Sequence, residues 1–97
     1  MAKGYWVSCY RAIKDTDALA EYAKLAAPAI EAGGGIFLAR GGQVTAFEAG
    51  VAERTVVVEF PSFEAALATH DGPGYQAALK VLGDAAERDF RVTEGID

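Results

Sequence analysis

The chain has 97 residues, 52% of them hydrophobic and 24% charged, and a net charge of -5. Such a length makes one domain, residues 1–97, with no room for a second core, and the composition lies far from that of disordered chains. The negative charge disfavours broad association with nucleic acid or an anionic membrane, and no stretch approaches the ~20 apolar residues that span a bilayer.

Tyr5 to Arg11 reads as a first strand, rich in aromatic and small residues on both faces. Asp15, Thr16 and Asp17 offer capping oxygens and negative charge for a helix running to about Ala32. Leu19, Tyr22, Ala23, Ala26, Ala29 and Ile30 recur at helical spacing as its inner stripe. Pro28 lies inside it, which predicts a kink near Lys24-Leu25 rather than a break. Gly33-Gly34-Gly35 ends the helix, and Ile36 to Arg40 is the second strand. Gln43 to Glu48 alternates weakly and is expected to form a short arm closed by Gly50. Arg54 to Phe60 is the third strand. Pro61 stops it, and Ser62 caps a helix from Phe63 to about His70. Asp71-Gly72-Pro73-Gly74 interrupts that helix, and Pro73 suits the first turn of a continuation through Tyr75, Ala78 and Leu82. Phe90 to Glu94 is the last strand.

The predicted order βαββαβ is the ferredoxin-like α+β arrangement, a four-stranded antiparallel sheet with both helices on one face and spatial order 4-1-3-2. Strand three carries Val56, Val58 and Phe60 on one side and Val57 on the other, while Ile36 and Leu38 oppose Phe37 and Ala39. Apolar side chains on both faces imply that both are buried, so the open face is expected to meet a second copy in a two-fold homodimer.

Cys9 is the only cysteine and His70 the only histidine. An intrachain disulfide is therefore impossible and a structural zinc site is not expected; no cofactor motif stands out. The N-terminus has no long apolar run and no cleavage pattern, and a cytoplasmic location is expected. Gly33-Gly34-Gly35 precedes a strand, so it is not a phosphate-cradling loop.

Strand direction sorts the charges. One sheet end collects Tyr10, Arg11, Arg40, Arg54, Arg88 and Arg91, with His70 and Asp71 arriving from the second helix. Arginines in such a group hold a carboxylate or phosphate through paired hydrogen bonds. Arg40, Tyr10, Tyr75 and Arg91 are the candidate ligand-binding residues; solvated strand-end charges and core aromatics are the alternative. His70 is the default general acid or base, although a histidine at a helix end also commonly caps carbonyls. Glu59 is a second catalytic candidate, because a nearby Glu94 would raise one of the two carboxyl pKa values; it could equally accept hydrogen bonds at the Pro61-Ser62 turn.

Gly4-Tyr5-Trp6, Gly34-Gly35, Phe37-Leu38-Ala39-Arg40-Gly41-Gly42, Glu59-Phe60-Pro61-Ser62, Glu64-Ala65-Ala66, Pro73 with Tyr75-Gln76-Ala77-Ala78, and Glu94-Gly95 together resemble the domain-of-unknown-function 1330 family. The resemblance runs from about Lys3 to Gly95 and implies a dimeric α/β-barrel, a superfamily that includes cofactor-free monooxygenases, haem-degrading enzymes and lactone isomerases. The family itself has no established activity. Two aromatics usually precede the Asp of the helix break, where this chain has Thr69-His70, and Gly72 and Gly74 replace the usual Ser and Glu. Haem-degrading relatives rely on Asn, Trp and His, and this chain has no asparagine. The expected function is binding of a small acidic or aromatic metabolite, with cofactor-free monooxygenase- or isomerase-like chemistry as its enzymatic form. The alternative is a non-catalytic dimeric module that binds a ligand or a protein.

Overall fold

The computed structural model describes residues 2–96. Its elements are β1 (Gly4–Ile13), α1 (Thr16–Ala32), β2 (Ile36–Arg40), β3 (Thr55–Phe60), α2 (Phe63–Asp71), α3 (Pro73–Leu82) and β4 (Ala86–Glu94). The strands form one antiparallel sheet in the order β2-β3-β1-β4, as the ferredoxin-like arrangement requires.

Local chemistry sets each boundary. The Asp15 carboxylate accepts from the backbone N–H groups of Asp17 and Ala18 at 3.0 and 3.1 Å, satisfying two orphan donors at the start of α1. Ser62 Oγ does the same for Ala65 at 3.0 Å in α2. Gly72 separates α2 from α3, and Pro73 fills the first turn of α3, where its missing N–H costs nothing. Helix α1 runs through Pro28 without a break.

Two expectations differ from the outcome. Residues Gln43 to Glu48 form no strand; no regular element lies between β2 and β3. Strand β4 begins at Ala86 rather than Phe90, because Ala86 to Asp89 continue the ladder along β1 as far as Ile13. Its charged residues hide the strand in the sequence, yet Arg88 and Phe90 alternate with Glu87, Asp89 and Arg91 across the two faces.

The core lies between the sheet and the helices. Trp6, Val58 and Phe60 face Tyr22, Ala26 and Ile30 of α1, Ala66 of α2, and Tyr75, Ala78 and Leu82 of α3. Trp6 stacks at 4.7–5.2 Å on Phe60, Tyr75 and Phe90, and its Nε1 donates to the Ala66 carbonyl at 2.9 Å. This bond ties the middle of the sheet to α2 and satisfies the one polar atom of the indole. The opposite face carries Tyr5, Val7, Cys9, Val57 and Ile36, and among the described residues no helix or strand packs over its centre.

Candidate functional site

Strand register arranges the helix-facing side chains in rows. One row runs Phe37, Val58, Trp6, Val92 across β2, β3, β1 and β4, and the next runs Arg40, Val56, Ser8, Phe90. Beyond it Tyr10 lies opposite Arg88, and its N–H donates to the Arg54 carbonyl at 2.9 Å. An apolar row and a mixed one, which carries Arg40 and Ser8, therefore give way to a row of Arg54, Tyr10 and Arg88.

Arg40 reaches this face only through a β-bulge. In β2, Phe37 pairs with Val58 but Ala39 pairs with Val57, so two residues advance where β3 advances one. Simple alternation would put Arg40 on the open face with Ile36 and Leu38. The bulge instead returns it to the face of Phe37, where its guanidinium lies 4.2 Å from the Phe37 ring centre.

The three rows and α1 enclose a cavity of about 50 Å³. Its apolar walls are Trp6, Phe37, Val56, Val58 and Phe90 from the sheet with Ala23, Ala26, Ala27 and Ile30 from α1, and its polar groups are Ser8, Tyr10, Tyr22, Arg40, Arg54 and Arg88. No carboxylate lines it. Nor does Arg40, Arg54 or Arg88 take part in any ion pair among the described residues.

Arg88 is the most constrained of these cations. Its Nη1 donates to the Tyr22 hydroxyl at 3.1 Å and its Nη2 makes a longer contact, 3.4 Å, with the Tyr75 hydroxyl. The rings of Tyr10, Tyr22 and Phe90 surround the guanidinium at 5.1–5.5 Å. Tyr22 and Tyr75 are themselves joined, oxygen to oxygen, at 2.6 Å. One of them must donate to the other, and both accept from Arg88, so one phenolic hydrogen is left for a ligand.

Burial, and then the neighbouring Tyr75, raise the Tyr22 pKa well above the usual phenol value. Burial likewise raises Tyr10, only partly offset by Arg88 and Arg54. For Arg88, burial pulls the pKa down, but Tyr22 and Tyr75 more than reverse it, and the guanidinium stays charged. At neutral pH Tyr22 and Tyr10 are thus uncharged, beside a cation with no acidic partner among the described residues.

Two polar atoms are orphaned here: Ser8 Oγ and Arg54 Nε are shielded from solvent and have no hydrogen-bond partner. Ser8 is only 4% exposed. In sequence its signal was a lone hydroxyl between Trp6 and Tyr10 on the buried alternation of β1, too weak to single it out.

The structure divides the expected site residues among three places. Arg40 and Tyr10 line the cavity; Tyr75 is not one of its walls and is linked to it only by the bond between its hydroxyl and that of Tyr22. Arg91 lies opposite Val7 on the open face, where its guanidinium makes two hydrogen bonds to the Asp89 carboxylate at 3.1 and 3.2 Å. His70 packs by its ring on Trp6, Tyr75 and Phe90 at 5.3–6.1 Å and contacts Asp71 at 3.2 Å, so the aromatic cluster separates it from the cavity. Glu59 pairs with Lys3 at 3.2 Å on the open face. Its expected partner Glu94 lies opposite Gly4, one residue out of step with Tyr5 opposite Glu59, so the two carboxylates point to opposite faces. Arg54, Arg88, Tyr22 and Ser8 complete the site.

Comparison with known proteins supports the architecture. The chain superposes on a protein of unknown function from Rhodopseudomonas palustris with a TM-score of 0.77 at 17% identity, covering 99% of this chain and 84% of that one. A dimeric ferredoxin-like protein of unknown function from Thermobifida fusca gives 0.60 at 18% identity over 98% and 92%. A proposed antibiotic biosynthesis monooxygenase from Caulobacter crescentus gives 0.60 at 16% identity over 99% and 91%. At these identities the likeness is one of fold. No curated protein matches the sequence. The model of the family described as Domain of unknown function (DUF1330) matches residues 3–96, and the chain belongs to that family.

Proposed function

We propose that the cavity between the sheet and α1 binds a small metabolite through an anionic group, with Arg88, Arg40 and Arg54 as its partners. One observation carries this: six donor-bearing side chains converge on an apolar cavity that no carboxylate lines. Taking a guanidinium out of water costs several kcal/mol unless an anion or well-placed acceptors replace the water. The Tyr22 and Tyr75 oxygens and three ring faces offset part of that cost for Arg88, and a bound carboxylate would supply the missing charge.

Binding is favoured over acid–base catalysis by the placement of the titratable groups. His70 lies behind the aromatic cluster and Glu59 on the other face, and the cavity phenols hold their protons firmly. Cofactor-free oxygenase or isomerase chemistry in this cavity would have to draw its proton donor from the Tyr22–Tyr75 pair. The open face, with Val7, Val57 and a 57% exposed Ile36, supports pairing of two copies sheet to sheet.

The test is calorimetric titration with propionate and butyrate. Arg88→Met should weaken the acids that bind by about 10- to 100-fold, the loss of a charge-assisted pair, while Arg91→Met should bind like the parent. Equal binding by the parent and a folded Arg88→Met chain overturns the proposal.

A further inference from the structure

We infer that Ser8 reads a second oxygen on the ligand, making the site selective for short hydroxy or oxo acids over the plain carboxylic acids of the same length. The inference rests on the anion-binding cavity proposed above. Its own observation is the Ser8 hydroxyl, which lines the cavity, is shielded from solvent, and makes no hydrogen bond among the described residues. Buried hydroxyls in folded proteins are nearly always paired, so an unpaired one facing a cavity asks for a partner that enters the cavity.

Position gives the chemistry. Ser8 is two residues along β1 from Tyr10, about 6.8 Å, so it lies deeper than the row of Arg54, Tyr10 and Arg88. Arg40 shares the Ser8 row but sits two strands away, about 9.6 Å between backbones, and is exposed. A ligand whose carboxylate meets the arginines therefore presents its other end to Ser8. The cavity volume of about 50 Å³ is room for roughly four waters, which suits an acid of three or four carbons. A hydroxyl or carbonyl oxygen at the inner end would accept from Ser8 Oγ, and a ligand hydroxyl could also donate to it. A hydrocarbon end would offer Ser8 no partner.

The experiment compares pairs of equal carbon-chain length by calorimetric titration: 3-hydroxypropionate with propionate, and 4-hydroxybutyrate with butyrate. The parent chain should prefer the hydroxylated member of at least one pair by roughly tenfold. Ser8→Ala should erase that preference by weakening only the hydroxy acid, whereas Arg88→Met should weaken both members alike. Equal binding of both members of each pair by the parent, or a preference that survives Ser8→Ala, overturns the role of Ser8 and leaves the anion cavity standing. Failure of every acid to bind the parent overturns the cavity reading and this inference together. A Ser8→Ala chain that binds propionate as the parent does is its own control for folding.

Discussion

Removing the Ser8 hydroxyl should stabilise the protein. The hydroxyl is buried and makes no hydrogen bond among the described residues, so folding trades its full hydration for a confined site, a penalty of about 1–3 kcal/mol. Ser8→Ala removes that penalty and leaves an oxygen-sized void. At about 24 cal/mol per Å³, a void of roughly 15 Å³ costs about 0.4 kcal/mol. The expected net gain is therefore about 0.6–2.6 kcal/mol, and in a domain of this size each kcal/mol moves Tm by roughly 4–8 °C. Trp6 is the only tryptophan and is buried one row from Ser8, so its fluorescence follows unfolding in urea without a label. The midpoint should rise with the slope unchanged. A Ser8→Ala chain less stable than the parent by 1 kcal/mol or more would refute the reasoning, because the hydroxyl would then have a partner in the folded state.

Three further outcomes are expected. Stability should fall as pH rises past about 10: the unfolded tyrosines ionise there, while Tyr22 and Tyr10, with pKa values raised by burial, keep their protons in the folded state. The folded state then binds more protons than the unfolded one, so urea melts between pH 8 and 11 should show a loss on the alkaline side that Tyr22→Phe reduces; a flat profile contradicts the burial of these phenols. Gly4→Ala should cost about 1–3 kcal/mol or more by melting, because a Cβ there would run into the Ser62 carbonyl and the Phe63 backbone at the start of α2; a neutral effect would mean that α2 sits farther from the sheet. In sedimentation the parent should run at twice the chain mass, and Val57→Asp on the open face should run as a single chain; a monomeric parent would leave the face uncovered.

The fold was largely legible in the sequence because its signals are local. Asp15, Ser62 and Pro73 mark the three helix starts through hydrogen bonds or a fixed φ within one turn, and the alternation of β1 and β3 is strong enough to order the sheet. The site was only half legible. That Arg40, Arg54 and Arg88 share a sheet end follows from strand direction alone. Which of them face the helices does not, because that depends on register, and neither Arg91 nor Glu59 carries a local sign of its face. The pairing of Tyr22 with Tyr75 joins residues 53 positions apart and is a product of helix packing. The orphaned state of Ser8 is still less visible, since it is a lack of neighbours rather than a contact.

The extra residue in β2 makes the face of Arg40 a matter of strand length as well as of residue identity. Deleting Leu38 or Ala39 would erase the bulge and still leave Arg40 opposite Val56 on the helix side, because strict alternation over the shortened strand ends there. Straightening the full five residues would do the opposite, turning Arg40 to the open face beside Ile36 and Leu38 with no change of composition or charge. The surroundings of this guanidinium are therefore set by how many residues the backbone fits between Phe37 and Arg40, a quantity that no count of charges along the chain records.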